Sequence, residues 1–220
     1  MSHIETLVLA AGQSTRFGSV CKVTQLVDGT PMVRRIVMAA LQSQASRVTL
    51  VTGHYASEVR SVTSDLPIQW VHNVAPQSGL ASSLRVGLSA IGPGASGAVI
   101  CLGDMPHVRA LHIDALCTAF DGSGGKFICA PEYHGKRGNP ILWPARWFSS
   151  LCSLQGDTGG RQLLASHATE VQRVIVSAPG VTVDIDSSED LMALRHGNAL
   201  RTPPSVHGGG LGGVKPGLTG

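Results

Sequence analysis

The chain of 220 residues has no apolar run approaching the roughly 20 residues that cross a bilayer, so no membrane-spanning helix is expected. It has no cluster of Lys or Arg. The formal charge is +3 and the basic residues are scattered, at most two together, which leaves neither the patch that holds nucleic acid nor the one that holds an anionic membrane surface. It lacks a basic leader: the apolar start from Ile4 to Ala11 contains Glu5 and runs straight into a glycine-rich loop, so it reads as a first core strand and not a signal peptide. The expected location is the cytoplasm. The five cysteines, Cys21, Cys101, Cys117, Cys129 and Cys152, are odd in number and show no C-x-x-C spacing. A zinc site and a disulfide frame are therefore not expected, and the thiols read as reduced core residues. None of the nine histidines sits in a nucleophile motif, so covalent catalysis by a Ser-His-Asp or Cys-His set has no visible basis.

What is present is an alternation of strands and helices. Strand-like runs fall at Leu7 to Leu9, Val48 to Thr52, Ile68 to Val71, Ala98 to Leu102, Phe127 to Ala130, Ile141 to Trp143 and Val174 to Val176. Between them, Thr30 can cap a helix with Pro31 in its first turn, and Val33, Ile36, Val37, Ala40 and Leu41 form a helical stripe. Leu80, Leu84, Leu88 and Ile91 form a second stripe, and Ile113, Leu116, Cys117 and Phe120 a third. Such alternation predicts right-handed βαβ crossovers, a mostly parallel sheet and helices on both of its faces. Ligands on such sheets bind at the carboxyl ends of the strands. One domain over residues 1–196 is expected. Residues 197–220, dense in glycine and carrying Pro203 and Pro204, read as a flexible and dispensable tail.

The first loop, LAAGQSTRFGSVCK from Leu9 to Lys22, follows a strand and precedes a helix. Gly12 and Gly18 let the backbone approach an anion, and Arg16 and Lys22 supply neutralising charge. It is neither a Walker A loop, since Ser19 stands where the lysine belongs, nor G-x-G-x-x-G. After the Ala98 to Leu102 run comes LGDMP. Its Asp104 suits a magnesium ion carried in with a nucleotide, because Mg2+ usually takes one or two carboxylates; the alternative is an Asp that caps the next helix or shapes the turn. Asp186 in VDIDSSEDL is a second candidate, with Asp184 competing for the role and Ser187 with Asp190 forming a capping-box-like start. Three further segments look specified. QSGLASSL, Gln77 to Leu84, puts Ser78, Gly79, Leu80, Ala81, Ser82 and Ser83 at a helix N-terminus, where amides or hydroxyls could bind ribose or phosphate. HGKRGNP carries Arg137, Gly138, Asn139 and Pro140, and GDTGGRQLL sets Asp157 and Arg161 about a double glycine. Each could also be a turn with a cap.

In this order and spacing, LAAGxSxRxGxxxK, GLASSL, LGDMP, RGNP, GDxGxR and DIDxxED resemble the MobA-like nucleotidyltransferases over about residues 5 to 195, and most closely the CTP:molybdopterin cytidylyltransferases. The likeness implies a three-layer α/β/α Rossmann-like nucleotidyltransferase fold. It also implies that Leu9, Ala10, Ala11 and Ser78 belong to the CTP-binding site, that Gly12, Arg16 and Lys22 bind its triphosphate, and that Gly79, Leu80, Ala81, Ser82 and Ser83 hold base and ribose. Asp104 and Asp186 would hold Mg2+, and Arg137, Gly138, Asn139, Pro140, Asp157 and Arg161 would face molybdopterin. Lys22, Arg16 and Asp104 would carry the catalysis. Cys21, Thr24 and Gln25 depart from the usual residues of that loop.

The implied reaction is attack by the terminal phosphate of molybdopterin on the α-phosphorus of CTP, with release of pyrophosphate. The nucleophile is already an anion, so positioning and charge relief are the protein's tasks. An NAD(P)-dependent oxidoreductase would need an acidic residue at the end of the second strand, where the chain has Thr52, Gly53 and His54. A cofactor carrier delivering to a molybdenum hydroxylase, and transfer to a sugar phosphate or another phosphorylated acceptor, remain the other readings.

Overall fold

A computed structural model describes residues 1–18, 20–157 and 159–195. The tail expected at 197–220 lies outside the described residues.

Strand β1 (Ile4–Ala10) is buried along its whole length. Its period-two alternation sends Ile4, Val8 and Ala10 to one face of the sheet and Leu7 and Leu9 to the other. Next come β2 (Leu26–Val27) and β3 (Thr30–Pro31), a small antiparallel ribbon. It turns at Asp28 and Gly29, with φ of 48° and 76°, and left-handed geometry at both central positions is what makes Asp-Gly a hairpin sequence. Helix α1 (Met32–Leu41) follows at once, and its start differs from expectation. Pro31, at φ −55° and ψ 137°, is the residue before the first helical one, while Thr30 pairs with Val27 and caps nothing.

The chain continues through β4 (Arg47–Thr52), α2 (Ala56–Ser61), β5 (Gln69–His72), α3 (Leu80–Ser89), β6 (Gly97–Leu102) and α4 (Ala110–Gly122). Then come β7 (Ile128–Tyr133), β8 (Lys136–Arg137), β9 (Ile141–Pro144), α5 (Phe148–Cys152), α6 (Arg161–Ser166), β10 (Val171–Ile175) and α7 (Ser188–Arg195). The last strand begins at Val171, earlier than the expected Val174. Its ladder with β7 takes in Gln172 and Arg173, polar residues that an edge strand tolerates and a search for apolar runs passes over.

Among the described residues the sheet runs β10-β7-β9-β6-β1-β4-β5, with β8 attached to β7. Parallel pairs join β1 to β4 and β6, β4 to β5, and β10 to β7. β9 lies antiparallel between β6 and β7. On one face Val33, Ile36, Val37 and Ala40 of α1 pack with Ile113, Leu116 and Phe120 of α4. On the other, Leu84 and Leu88 of α3 pack with Leu151 of α5 and Leu164 of α6. The result is three layers, mostly parallel in the middle. Leu7, Val8 and Leu50 have no exposed surface, and each such side chain contributes about 1.5–3 kcal/mol by leaving water. A small satellite core of Val27, Met32, Ile185 and Leu191, with Phe17 against it, anchors the segment before α7.

From β1 the chain crosses to β4 and β5 on one side, and β6 returns on the other side of β1. The loops after β1 and β6 thus leave the carboxyl ends of neighbouring parallel strands, the end at which such sheets bind ligands. The five cysteines are free thiols, four of them buried. Among the described residues no helix is long and apolar enough to cross a membrane.

Candidate active site

The loop after β1 is closed by its own hydrogen bonds. Ser14 takes left-handed backbone angles, its carbonyl accepts from the Phe17 amide at 2.7 Å, and its hydroxyl accepts from the Lys22 amide at 2.9 Å. One turn later the Cys21 carbonyl accepts from Thr24 Oγ1 at 3.0 Å and Gln25 Nε2 at 3.2 Å. Thr24 and Gln25 thus form a clasp that fixes the backbone on either side of Lys22. Ser14 was not singled out in the sequence, because nothing local announces a serine whose partner lies eight positions away.

Held in this way, Lys22 extends its ammonium to Asp104 Oδ2 at 2.7 Å and Asp186 Oδ1 at 3.3 Å. The Lys22 and Asp104 side chains are only 16% and 22% exposed, so water screens their attraction incompletely. Arg16 stands 3.7 Å from Asp186 Oδ2, with both side chains more than half exposed; such a pair adds little stability by itself. Asp104 caps no helix. The helix after it, α4, begins beyond Arg109, whose amide donates to His112 Nδ1 at 3.0 Å. Asp186 is relieved of capping too. The Ser187 amide donates to Asp190 Oδ2 at 2.8 Å and the Asp190 amide to Ser187 Oγ at 3.1 Å, a reciprocal capping box that leaves the Asp186 carboxylate to face Lys22. Ile185 ties the two acidic segments together by donating its amide to the Asp104 carbonyl at 3.1 Å. Asp184 does not contact Lys22 by hydrogen bond. Partial desolvation, followed by the charges of Asp186 and Asp104, pushes its carboxyl above the usual carboxylate range.

Arg16, Lys22, Asp104 and Asp186 line a cleft of about 360 Å³ together with Leu9, Ala10, Ala11, Gly12, Gly79, Leu80, Ser83 and Asp157. Ser78, Ala81 and Ser82 do not line it. Ser82 is buried, with its hydroxyl accepting from Asn73 Nδ2 at 2.8 Å and lying within reach of the Ala75 and Gly79 carbonyls. Asn73 also donates to Ser83 Oγ at 3.1 Å. The hydroxyl of Ser82 holds the turn, and the expected ribose or phosphate contact from it is corrected accordingly.

The amides at the start of α3, expected to bind ribose or phosphate, are likewise engaged within the protein. The Leu80 amide donates to Asp157 Oδ1 at 3.0 Å and the Ala81 amide to the Gly156 carbonyl at 3.0 Å. They are satisfied from within the protein and do not lie open to a ligand. Gly79 makes this contact possible, at φ +87°, since a Cβ there would fall 2.5 Å from the Gly156 carbonyl carbon. A similar close approach joins Ala11 and Gly53. A Cβ on Gly53 would meet the Ala11 carbonyl at 2.6 Å, so Gly53, which in sequence only marked the lack of an acidic residue, lets the end of β4 lie against the loop.

Arg137, Gly138, Asn139, Asp157 and Arg161 line a second cavity of about 540 Å³, which shares Leu9, Leu80, Leu102 and Asp157 with the first. Pro140 is buried beside it and not on its wall. The rest of the lining is largely apolar, including Trp143, Leu151 and Ile141. Arg137 and Arg161 are exposed and have no ion pair among the described residues. Two adjoining cavities, one with cations and carboxylates on its floor and one with two unpaired guanidiniums, can hold two anionic substrates side by side.

Among the described residues no group of three or more His, Cys, Asp or Glu is placed to hold a metal ion. A caged structural metal is not what these residues fit. Two carboxylates, with Asp104 Oδ1 buried and lacking a partner, do fit an Mg2+-like ion that brings its remaining ligands with a phosphate substrate.

Comparison with known proteins places the description MobA-like NTP transferase domain on residues 6–174. Rv0371c from Mycobacterium tuberculosis H37Rv superposes with a TM-score of 0.76 at 28% identity, over 88% of this chain and 97% of that one. A second structure of it is a complex with manganese, with a TM-score of 0.75 at 28% identity over 88% of this chain and 98% of that one. A nucleotidyl transferase from Methanothermobacter, Mth528, shares the fold with a TM-score of 0.77 at 21% identity over 89% and 97% of the two chains. The bifunctional protein GlmU of Chromobacterium violaceum is 30% identical over 123 residues, 56% of this chain and 27% of that protein. The chain thus spans about a quarter of the length of the curated relatives it matches.

Proposed function

The chain belongs to the MobA-like NTP transferase family, and we propose that within it the protein transfers CMP from CTP to the terminal phosphate of molybdopterin, releasing pyrophosphate. The observation that carries this reading is the Lys22 ammonium between Asp104 and Asp186 on the floor of one cavity, which opens past Asp157 into a second cavity bearing Arg137 and Arg161. The nucleoside triphosphate occupies the first cavity and the acceptor the second.

Lys22 and Arg16 neutralise the triphosphate, which lowers the repulsion that an anionic nucleophile meets as it approaches the α-phosphorus. Arg137 and Arg161 hold the acceptor's phosphate for an in-line approach. The new P–O bond forms as the bond to pyrophosphate breaks, with no covalent enzyme intermediate. Asp104 and Asp186 would hold the divalent ion, Mg2+ by this proposal, which when bound supplies further charge neutralisation at the phosphates.

The test is incubation with each nucleoside triphosphate in turn, Mg2+ and molybdopterin, with the product identified by mass spectrometry. A cytosine dinucleotide of molybdopterin is expected. Product formed only with a sugar phosphate would replace this acceptor, and no nucleotidyl product with any acceptor would reject the transferase reading.

A further inference from the structure

Between the two acidic segments, which the Ile185 amide joins at the Asp104 carbonyl, stands a cation that belongs to the chain. Lys22 Nζ contacts Asp104 Oδ2 at 2.7 Å and Asp186 Oδ1 at 3.3 Å. The backbone that carries it is fixed by Ser14 Oγ on the Lys22 amide and by Thr24 and Gln25 on the Cys21 carbonyl. Asp104 is only half satisfied, since its Oδ1 is buried with no partner while its Oδ2 takes the ammonium. A divalent ion that engaged both carboxylates would need the ammonium's place, because two cations cannot share it without strong repulsion.

We infer that Lys22 is the resident counter-ion of the Asp104–Asp186 pair and competes with a bare metal ion for it, so that the protein holds its metal more tightly with a triphosphate than without one. The inference rests on the proposed assignment of Asp104 and Asp186 as metal ligands. A lysine suits this double duty: its charge is compact and its four-carbon stem is flexible. When a triphosphate enters the cleft, where Arg16 already stands at its edge, the ammonium gains phosphate oxygens and releases the carboxylates. Each ligand then favours the other, and by linkage the gain is the same in both directions.

The direction of the effect separates this role from a supporting one. If Lys22 only steadies the carboxylates, replacing it weakens metal binding; if it competes, replacing it strengthens metal binding. The probe is Mn2+ alone, followed by the electron paramagnetic resonance signal of the free ion, on full-length wild type, Lys22→Met and Lys22→Gln, each checked for folding by circular dichroism. Both variants should bind Mn2+ tighter than wild type by a factor within the range of about 5–150 typical of coupled sites. Adding α,β-methylene CTP should tighten Mn2+ binding in wild type more than in either variant. Folded variants that bind Mn2+ no tighter than wild type would overturn the inference. Asp104→Asn provides the separate control: loss of Mn2+ binding keeps the metal assignment whatever the lysine variants do, and unchanged binding removes that assignment itself.

Discussion

The backbone amide of Leu80 donates to the carboxylate of Asp157 at 3.0 Å, across 77 positions of sequence. Helix α3 is thus capped by a residue from a distant loop, and that residue lies on the boundary between the two cavities. Asp157→Ala should destabilise the fold by about 1 kcal/mol, the usual cost of a lost N-cap, while Asp157→Asn keeps an acceptor oxygen and most of the stability. Urea denaturation reads both. Equal stability of wild type and the alanine variant would deny Asp157 the capping role.

Asp104→Asn should leave the fold intact and reduce nucleotidyl transfer by several orders of magnitude, because the carboxylate that faces Lys22 and the proposed metal loses its charge. Asp186→Asn should also be severely impaired. Asp184→Asn should be milder, since Asp184 makes no hydrogen bond to Lys22. Turnover close to wild type in a folded Asp104→Asn protein would remove Asp104 from the chemistry.

For Lys22→Ala the expected loss is about 3 kcal/mol of transition-state stabilisation, on the scale of a lost preorganised donor, with kcat affected more than KM. Steady-state kinetics at saturating substrate separates the two. A fall in melting temperature with kcat spared would make the lysine structural.

His112 gives the pH dependence a sign. Its Nδ1 accepts the Arg109 amide, its Nε2 is buried without a partner, and burial followed by the nearby Arg109 charge pushes its pKa down to about 4. The unfolded chain, with an ordinary histidine near 6.5, binds the proton first, so this contribution is complete above about pH 6.5 and lost as pH falls toward 4. The loss is on the order of 3 kcal/mol. His112→Asn should show a shallower decline than wild type in denaturation midpoints between pH 7 and 4.5. Parallel curves would show that another group governs acid stability.

CTP should be preferred over GTP by at least about 10²-fold in kcat/KM. Ala11 lines the cleft where it meets Gly53, and a purine needs more room there than a pyrimidine. Ala11→Gly should relax the preference without abolishing turnover. Competition assays with both nucleotides measure it, and equal use by wild type would rule out the cytidylyl assignment while sparing the family.

By itself the sequence determined the three-layer plan. The buried run around Leu7 and Val8 and the helical stripes at Val33 and Leu84 record local periodicity, which depends only on which face of each element leaves water. Asp104 and Lys22 were legible because each sits in a short, unusual string at the end of an apolar run. Only the tertiary structure decided what those residues touch. That Asp186 and not Asp184 meets Lys22 goes with the Ser187–Asp190 capping box and the satellite core that anchors Ile185. The amides of Leu80 and Ala81, open in any local reading, are taken by the Gly156–Asp157 loop. Ser82 turns to Asn73, and Ser14 to Lys22. Periodicity is a property of neighbours along the chain, whereas the partner of a buried polar group is whatever the packed fold brings within about 3 Å of it, and no local pattern encodes that meeting.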